Sequence, residues 1–529
     1  MPTLNEKIAD SLERLREAGD GDPDVLRTTA LSRTHLERLL QYGFLKPVMP
    51  GWVMVVDPTL KVGESTTFFA NFWKFIGRYC DERFGSDWVI DAQASLRLHT
   101  GDMSVPRQVV VISPGGNNRA QEMAFRTSLF SHRGDATFAE VRDGLRVTPV
   151  GEALVRASPT FFTMERPVAI AALATVGATS DVLEPLIRGG HSVIAGRLAT
   201  AFRSLGRGRV ADEIVSGMTA AGHKVHEGDN PLREIPQGLA FARRVTPVAA
   251  RIRTLWAGMR EDVLSVFDDE VPGVQEKDAY LADVDERYVS DAYHSLSIEG
   301  YRVTPELIEK VRTSGWNPDF DEEDAKHKDA LAAKGYLDCF RAVREGVGAV
   351  IDGVPPARLV NDRHIEWYRA LFGPMVAAGA LAPGGLAGYR RHSIQLQTSR
   401  YVPVAWGSLQ DAMDAYFDCF EAEEDIRVGA VLGHYVFTYI HPFGDGNGRL
   451  GRFIMNATLS GGGFPWTVVP VDERGRYLEA LNAASLDGDI KPFAALVADL
   501  VKREPPPPRK RNAGEEPEYR PEGGLPGPK

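Results

Sequence analysis

The stretch HPFGDGNGRLGR, residues 441–452, places one histidine, one acid and two arginines around the closely spaced Gly444, Gly446 and Gly448. The preceding residues IRVGAVLGHYVFTYI, 426–440, are apolar on almost every side, which predicts a buried helix. The following residues RLGRFIMNATL, 449–459, resume a helical pattern. The sequence therefore predicts two helices joined by a glycine-rich loop that lies at the N-terminus of the second helix.

The residue types in this loop favour the binding and reaction of phosphates. Glycines expose backbone N–H groups, and a helix N-terminus adds a positive dipole, so an anion is attracted there. Arg449 and Arg452 are three positions apart on one helix face and extend the anion site to more than one phosphate. Asp445 is suited to hold Mg²⁺ beside phosphates, and His441 is suited to act as a general base near neutral pH. This combination is typical of phosphoryl or nucleotidyl transfer.

Each part of the pattern also has a structural interpretation. A histidine at the end of an apolar helix is often a hydrogen-bonded core residue, and GDGNG alone is typical of a turn between helices. A calcium-binding EF-hand loop is excluded because the twelfth position counted from Asp445 is Asn456 rather than glutamate. The chain also contains no GxxxxGK[ST], HExxH or paired CxxC pattern. The complete combination of residues therefore favours a functional loop.

The stretch 441–452 resembles the HxFx[DE]GNGRxxR motif of Fic-domain proteins. The matching positions are His441, Phe443, Asp445, Gly446, Asn447, Gly448, Arg449 and Arg452. The resemblance implies a mainly α-helical Fic fold that transfers AMP from ATP to a hydroxyl side chain of a target protein.

The same resemblance implies a role for each matching residue. His441 would deprotonate the target hydroxyl, Asp445 would hold Mg²⁺, and residues 446–448, with Asn447, would form an anion hole. Arg449 and Arg452 would bind the β- and γ-phosphates, and Phe443 would pack into the core and fix the loop. The phosphorylating branch of the family has a lysine where this chain has Gly448, which favours AMP transfer.

Two flanking segments extend the resemblance. Residues 385–404, GLAGYRRHSIQLQTSRYVPV, predict a small β-hairpin, which in the family is a flap that aligns the target peptide by strand addition. Residues 474–497 resemble the closing helices, where Tyr477 would lie near the nucleotide.

The segment SLSIEG, residues 295–300, predicts a helix in which Ile298 is buried. It also resembles the inhibitory motif [ST]xxxE[GN] of the Fic family, with Ser295, Glu299 and Gly300 at the defined positions. The resemblance implies that Glu299 competes with the γ-phosphate for Arg452 and so inhibits the enzyme within one chain.

A chain of 529 residues is long enough for several domains. The pattern predicts a winged helix-turn-helix at 1–58, an α/β accessory domain at 59–245, a Fic domain at 246–504 and a disordered Pro-rich tail at 505–529. The net charge of −11 excludes a surface that is basic throughout. Three distant cysteines fit a reducing cytoplasm, and no apolar run is long enough for a membrane span.

Residues 31–58 have the order helix, turn, strand. Ser32 can cap a helix over 33–41, Gly43 can end it, and GWVMVV predicts a strand after the turn at Pro50 and Gly51. The N-terminus resembles the winged-helix start of abortive-infection antitoxin-type regulators, which would place Ser32, Arg33, Thr34, Arg38 and Lys46 near DNA. An amphipathic helix packed on a hairpin explains the same pattern without DNA.

The sequence thus leaves three hypotheses for the whole protein. The first is an autoinhibited, Mg²⁺-dependent protein adenylyltransferase that acts on an unidentified target protein. The second is a DNA-binding transcriptional regulator whose Fic domain is inactive or senses a nucleotide. The third is transfer of another phosphate-linked group, because the motif recognises phosphates more than the base. A homo-oligomer is compatible with each of them.

Overall fold

The computed structural model describes residues 3–18, 24–56, 58, 65–233, 235–236, 239–241, 244–274, 276–313, 328–397, 399–504 and 507. The chain forms two compact units. Unit 1 comprises Met1–Ile235, Ala240–Ala250 and Ile394–Val402, and unit 2 comprises Pro236–Leu239, Arg251–Ser393 and Pro403–Lys529. The predicted tail at 505–529 lies outside the described residues except for Pro507.

The first part of unit 1 joins two helices to a small antiparallel sheet of strand order β1-β3-β2. Its elements are α1 (Leu4–Ala18), β1 (Val25–Arg27), α2 (Arg33–Gln41), β2 (Leu45–Met49) and β3 (Trp52–Val55). Ser32 caps α2, since its side chain accepts from the N–H of His35, and Gly43 has a φ of +76° just after the helix. The predicted helix over 33–41 is therefore confirmed, while β1, which the sequence analysis did not predict, adds the third strand.

The remainder of unit 1 is built on a mixed six-stranded sheet of order β6-β7-β5-β4-β9-β8. Trp52 and Met54 of β3 share one buried cluster with Phe72 and Val111, so residues on both sides of position 58 contribute to the same core. The strands are β4 (Val89–Ile90), β5 (Gln108–Ser113), β6 (Arg119–Met123), β7 (Thr127–Arg133), β8 (Glu140–Arg142) and β9 (Leu145–Val147). The helices are α3 (Thr66–Phe84), α4 (Ala92–His99), α5 (Val150–Arg156), α6 (Phe161–Met164), α7 (Arg166–Thr175), α8 (Ser180–Gly189), α9 (Ser192–Ser204) and α10 (Gly208–Ala220).

Unit 2 is helical. Helix α11 (Pro247–Leu264) leads into α12 (Lys277–Ile298), α13 (Pro305–Arg312), α14 (Lys328–Ile351), α15 (Pro356–Ala377), α16 (Leu409–Glu421), α17 (Ile426–Ile440), α18 (Asn447–Ser460), α19 (Arg474–Asp487) and α20 (Lys491–Leu500). Almost every side chain of α17 and α18 is buried. The expectation of a mainly helical chain with an α/β region in its N-terminal half is confirmed.

The predicted hairpin at 385–404 is wrong for the residues that the structure describes, 385–397 and 399–404, since neither range contains a β-strand. The backbone of this segment bonds to other partners. The Arg390 guanidinium donates to the carbonyl oxygens of His392, at 2.9 Å, and Val404. The carbonyl oxygen of Arg400, in unit 1, accepts from the N–H of Val105 at 2.8 Å. A side chain and a distant backbone thus occupy groups that a hairpin would have paired across two strands.

Within the described ranges, no single helix combines the length and apolarity needed to cross a bilayer. Helices α7 and α8, bent by 108° to each other, meet those criteria jointly by length and composition alone.

Candidate functional site

The glycine-rich loop connects two buried helices, as the sequence predicts. Asp425 caps the start of α17 by accepting from the N–H groups of Arg427, at 2.9 Å, and Val428. The helix ends at His441, whose φ of +55° is left-handed. This conformation is uncommon for a residue with a Cβ and reverses the chain immediately after α17. Helix α18 then begins after Gly446, which has a φ of +81°.

The imidazole of His441 is oriented by the last turn of α17. Its Nδ1 lies 3.1 Å from the carbonyl oxygen of Thr438. Because a carbonyl only accepts, Nδ1 carries the hydrogen in the neutral ring, which leaves the lone pair on Nε2. Burial, opposed in part by the bond to Thr438, lowers the pKa of His441 to about 4, and the positive charge of Arg390 acts in the same direction as burial. The ring is therefore a neutral proton acceptor at physiological pH.

Arg390 fixes the backbone at the same point. Its side-chain Nε donates to the carbonyl oxygen of His441 at 2.8 Å, and its backbone N–H donates to the carbonyl oxygen of Pro442 at 2.9 Å. This role of Arg390 could not be predicted from the sequence, because an arginine inside a segment predicted as a hairpin gives no local signal.

The loop is also held by Phe443 and Asn447. The ring of Phe443 is fully buried and stacks on Tyr368, with centroids 4.0 Å apart and an interplanar angle of 7°. Asn447 accepts from the N–H of Phe443 at 3.0 Å and donates to its carbonyl oxygen at 2.9 Å. Phe443 lies in the core as expected. The Asn447 amide, expected to line an anion hole, is instead engaged with the loop itself, which leaves only its backbone N–H for a ligand.

Two glycines keep the loop free of side chains where other groups approach closely. A Cβ on Gly446 would lie 2.7 Å from the ring of Phe372. A Cβ on Gly448 would lie 2.6 Å from Oε1 of Glu299 and 3.4 Å from Nη1 of Arg452. The position that carries a lysine in the phosphorylating branch is thus directly beside Glu299.

The guanidinium of Arg449 is completely buried beneath the loop. Its Nη2 donates to Oδ1 of Asp445 at 3.1 Å, and its carbon lies 5.2 Å from the Tyr301 ring and 5.0 Å from the Phe372 ring. Burial alone would lower the pKa of Arg449, but nearby Tyr301 and Asp445 raise it above its ordinary value. The Asp445 side chain keeps 37% exposure, so it remains accessible from the open side of the loop.

The predicted inhibitory residues lie together on Arg452. Nε of Arg452 donates to Oγ of Ser295 at 2.9 Å, and Nη2 donates to the Ser295 carbonyl oxygen at 3.1 Å and to Oε1 of Glu299 at 2.7 Å. Side-chain exposure is 4% for Arg452 and 26% for Glu299. Ser295 is in the last turn of α12, Glu299 is its C-cap, and Gly300 follows with a φ of +85°.

One further acid belongs to this face of α12. Asp291 lies one turn before Ser295, is buried, and accepts from the hydroxyl of Tyr336 at 2.7 Å. Burial raises the pKa of Asp291 to about 6, and the charge of Arg452 opposes the rise. An aspartate at this spacing in an ordinary helical pattern carries no signal that sequence reasoning could have used.

Tyr477 of α19 lies beside Arg452, with its ring centroid 5.8 Å from the guanidinium carbon. Its hydroxyl bonds to Nε2 of the buried His434 at 2.8 Å. Burial, together with the charge of Arg452, lowers the pKa of His434 to about 3, so this imidazole is neutral and acts as a fixed partner of Tyr477.

The donor set at Asp445 is consistent with Mg²⁺ only in combination with phosphates. In the described ranges, no three histidine, cysteine, aspartate or glutamate side chains are grouped as a metal site would require. Mg²⁺ is usually bound by one or two carboxylates together with substrate phosphates, and one exposed carboxylate beside an anion site meets that requirement.

The residues predicted to contact DNA are arranged differently from a basic recognition surface. The Arg33 side chain is 90% exposed but pairs with Glu37 at 2.7 Å. Nη1 of Arg38 donates to the Lys7 carbonyl oxygen at 2.9 Å and to Oγ of Ser11 at 2.7 Å, so this arginine fastens α2 to α1. Ser32 caps α2, Thr34 lies exposed in its first turn, and Lys46 lies on β2.

Comparison with known proteins supports the assignment made from the motif. Residues 361–459 match the Fic/DOC family. The chain contains a Fic domain.

Curated proteins that are similar to this chain are named protein adenylyltransferases. This chain is 31% identical over 227 residues to a protein adenylyltransferase Fic of Nematostella vectensis, and the match covers 42% of this chain and 48% of the relative. It is 26% identical over 273 residues to protein adenylyltransferase fic-1 of Caenorhabditis elegans, with 50% and 48% covered. The chain thus spans about half the length of the curated relatives it matches. A solved structure of C. elegans Fic-1, residues 134–508, is 19% identical with a TM-score of 0.36 and covers 66% of this chain and 94% of that one.

Proposed function

We propose that this Fic protein is an autoinhibited protein adenylyltransferase, which transfers AMP from ATP to a hydroxyl side chain of a target protein. The observation that carries the proposal is the loop at 441–452, where a neutral His441 with a free Nε2 lies beside a helix N-terminus and two buried arginines. The names of the curated relatives support the same reaction.

The residues divide the reaction between them. Nε2 of His441 takes the proton of the target hydroxyl as its oxygen attacks the α-phosphorus. The bond from the α-phosphorus to the bridging oxygen breaks, and pyrophosphate leaves. The backbone N–H groups at the start of α18 and the guanidiniums of Arg449 and Arg452 meet the negative charge of the phosphates. Asp445 would hold Mg²⁺, which when bound neutralises part of the phosphate charge.

Inhibition follows from the contact of Glu299 with Arg452. The carboxylate occupies the guanidinium that would otherwise bind the γ-phosphate, and its charge repels that phosphate. A charge-assisted hydrogen bond contributes about 1.5–3 kcal/mol, which corresponds to roughly a tenfold to hundredfold decrease in productive ATP binding.

The proposal is tested by intact-mass spectrometry of the full chain with ATP and Mg²⁺, alone and with a cell lysate. Glu299→Gly and Glu299→Gln should each gain one AMP on the chain itself or on a lysate protein, at least tenfold faster than the wild type. Glu309→Gln is the matched control, because Glu309 pairs with Arg312 at the surface. His441→Ala should abolish the gain in every background.

Two results would count against this function. Equal modification by the wild type and the Glu299 variants would remove the inhibitory contact from the mechanism. A mass gain other than that of AMP would support the hypothesis that another phosphate-linked group is transferred.

DNA binding through residues 1–58 is the alternative to adenylyl transfer. The order of helices and strands in this region supports it, but the charge does not, because the region contains seven lysines and arginines against nine aspartates and glutamates. DNA binding draws most of its affinity from neutralising phosphates with basic side chains. Adenylyl transfer therefore remains the function with the stronger support.

A further inference from the structure

Unit 1 contains a groove of about 700 Å³ that shares no residue with the loop at 441–452. It lies between α5, α8 and α9, and Phe138 and the turn at 157–159 complete its wall. Pockets that bind small molecules usually have volumes of about 300–1,000 Å³. The groove is therefore large enough for a ligand the size of a mononucleotide.

The charged side chains that line the groove are mostly basic. They are Arg156, Arg188 and Arg197, with His191 beside them and Glu152 as the acid. Glu152 is buried and bridges the first two arginines, at 2.6 Å from Nε of Arg156 and 3.2 Å from Nη1 of Arg188. One carboxylate thus faces three guanidiniums, in a chain whose net charge is −11.

Acids outside the lining compensate this excess only in part. Glu184 lies 3.6 Å from Arg188, but its side chain is 79% exposed, so solvent screens the pair. Asp135, also exposed, acts on Arg156 at longer range. Neither acid forms an ion pair with Arg197.

Arg197 is the least satisfied of the three arginines. It lies half-buried on α9, its carbon 5.1 Å from the Phe162 ring, and its Nη2 donates to the Ala157 carbonyl oxygen at 3.3 Å. Among the described residues, its buried Nε has no hydrogen-bond partner and its guanidinium forms no ion pair with an acid. Burial lowers the pKa of Arg197 accordingly. Keeping a charged group partly buried without a counter-ion costs free energy, which an anionic ligand would recover.

The rest of the lining is apolar and partly flat. Phe138 lies against two of the arginines, 4.1 Å from the Arg188 guanidinium and 5.2 Å from that of Arg156. Val155, Pro185 and Ile194 form the remaining apolar wall. A ligand that matches both parts has a flat organic portion and at least one phosphate. A bare inorganic anion would use the arginines but leave the apolar wall uncovered.

We propose that this groove binds a phosphorylated small molecule of mononucleotide size, with its phosphate on Arg197 and its flat portion against the apolar wall formed by Val155, Pro185 and Ile194. The groove shares no residue with the loop at 441–452, and the proposal does not depend on adenylyl transfer.

The test is photolabelling of the full chain with 8-azido-AMP, followed by peptide mapping. Label is expected on peptides within residues 134–197, and AMP should compete at least tenfold more effectively than inorganic phosphate. Arg197→Met should reduce labelling of these peptides about tenfold or more, because it removes a charge-assisted contact with the phosphate. Arg209→Met is the matched control, since Arg209 is exposed and pairs with Glu213 outside the groove.

A second pair of variants tests the groove independently, in case Arg197→Met fails to fold. Val193 lines the groove at the start of α9 and is 84% exposed. Val193→Glu adds a negative charge at a helix N-terminus, which does not destabilise the helix, and should reduce labelling about tenfold. Val193→Gln, of similar size but uncharged, should retain it.

Three outcomes would overturn the proposal. The first is label confined to peptides of the loop at 441–452, and the second is equal competition by AMP and inorganic phosphate. The third is labelling that Arg197→Met and Val193→Glu leave unchanged, while both variants unfold at the wild-type temperature. Competition by duplex DNA that exceeds competition by AMP would likewise replace it with a nucleic-acid site.

Discussion

The side-chain amide of Asn447 bonds both backbone groups of Phe443, and so holds the loop rather than a ligand. The motif residues thus divide into those with a structural role and those with a chemical role. Phe443 and Asn447 fix the shape of the loop from the buried side, while His441, Asp445 and the arginines supply charge and basicity. The motif has many defined positions within twelve residues because the loop must be rigid and free of side chains and must also lie among ionisable groups.

The two hydrogen bonds between the Asn447 amide and the backbone of Phe443, here called the clamp, predict a loss of stability when Asn447 is truncated. Asn447→Ala leaves the buried N–H and carbonyl of Phe443 without these partners, which should lower the free energy of unfolding by about 1–3 kcal/mol. Asn361→Ala is the control, because the Asn361 amide donates to Glu421 at the surface. Denaturant titration measures both, and equal stability of the two variants would show that the clamp contributes nothing.

The burial of His441 predicts an unusual pH dependence. A pKa of about 4 lies below the ordinary histidine value of about 6.5, so the basic form predominates throughout the neutral range. In the Glu299→Gly background, kcat/KM should therefore stay nearly constant between pH 6 and pH 8 and should fall only as the pH approaches the folded pKa. Initial rates of AMP incorporation across this range measure it. An acid limb centred near pH 6.5 would mean that the imidazole is as solvated as a free histidine.

At the scale of one element, α12 presents Asp291, Ser295 and Glu299 on one face at intervals of four residues. Ser295 and Glu299 bond to the guanidinium of Arg452, and Asp291 is close enough for the charge of Arg452 to act on it. The last two positions were predicted from a short motif. Asp291 was not, because its importance depends on the neighbouring Tyr336 of α14, which only the folded chain brings close.

The buried Asp291 predicts a specific dependence of stability on pH. Its folded pKa of about 6 lies above the unfolded value of about 3.9, so the folded chain binds the proton more tightly. Its contribution to stability is present at low pH and is lost as the pH rises through about 6. Relative to Asp291→Asn, the wild type should therefore lose stability between pH 5 and pH 7.5.

Denaturant titrations of both proteins at the two pH values measure this difference. Asp362→Asn, at an exposed position of α15, should show no comparable change with pH. A gap between the wild type and Asp291→Asn that is independent of pH would mean that the carboxyl is ionised at both values.

Elements with strong local patterns were predictable from the sequence. Helices α2, α17 and α18 begin and end close to the expected residues, because capping side chains, glycines and apolar periodicity all act over a few positions. The hairpin failed for the opposite reason. Its alternation of apolar and polar residues is local, but the bonds that its backbone accepts, from Arg390 to Val404 and from Val105 to Arg400, join residues far apart in the sequence.

In the candidate site, too, local sequence predicted some residues, and contacts between distant elements determine the others. The residues of 441–452 and Glu299 could be named from motifs, whereas Arg390, Tyr368 and Asp291 act through contacts between distant elements. The groove of unit 1 was also beyond sequence reasoning, because its three arginines are separated along the chain and are interspersed with ordinary apolar residues.

At the scale of the whole molecule, a net charge of −11 coexists with two places where positive charge is concentrated. In the loop at 441–452, Arg449 and Arg452 are buried, and in the groove of unit 1 the half-buried Arg197 has no acid beside it. A negative overall charge disfavours non-specific association with polyanions, while recessed guanidiniums still attract small anions that can enter. This distribution agrees with the two proposed sites for small phosphorylated ligands.

The charge of residues 1–58 predicts that the chain does not bind DNA. The full chain should cause no retardation of a duplex fragment in a gel shift at about 150 mM salt, because seven basic residues in 1–58 are outnumbered by acids and Arg38 is already engaged with α1. Arg33→Ala tests the most exposed candidate contact, and Arg209→Ala is its counterpart, since both arginines are exposed and paired with a glutamate four residues later. Retardation that weakens with salt and is reduced by Arg33→Ala but not by Arg209→Ala would establish that α2 binds DNA despite the unfavourable charge of its surroundings. The helix would then have to gain affinity from base contacts, which sequence-selective binding among different duplexes would reveal.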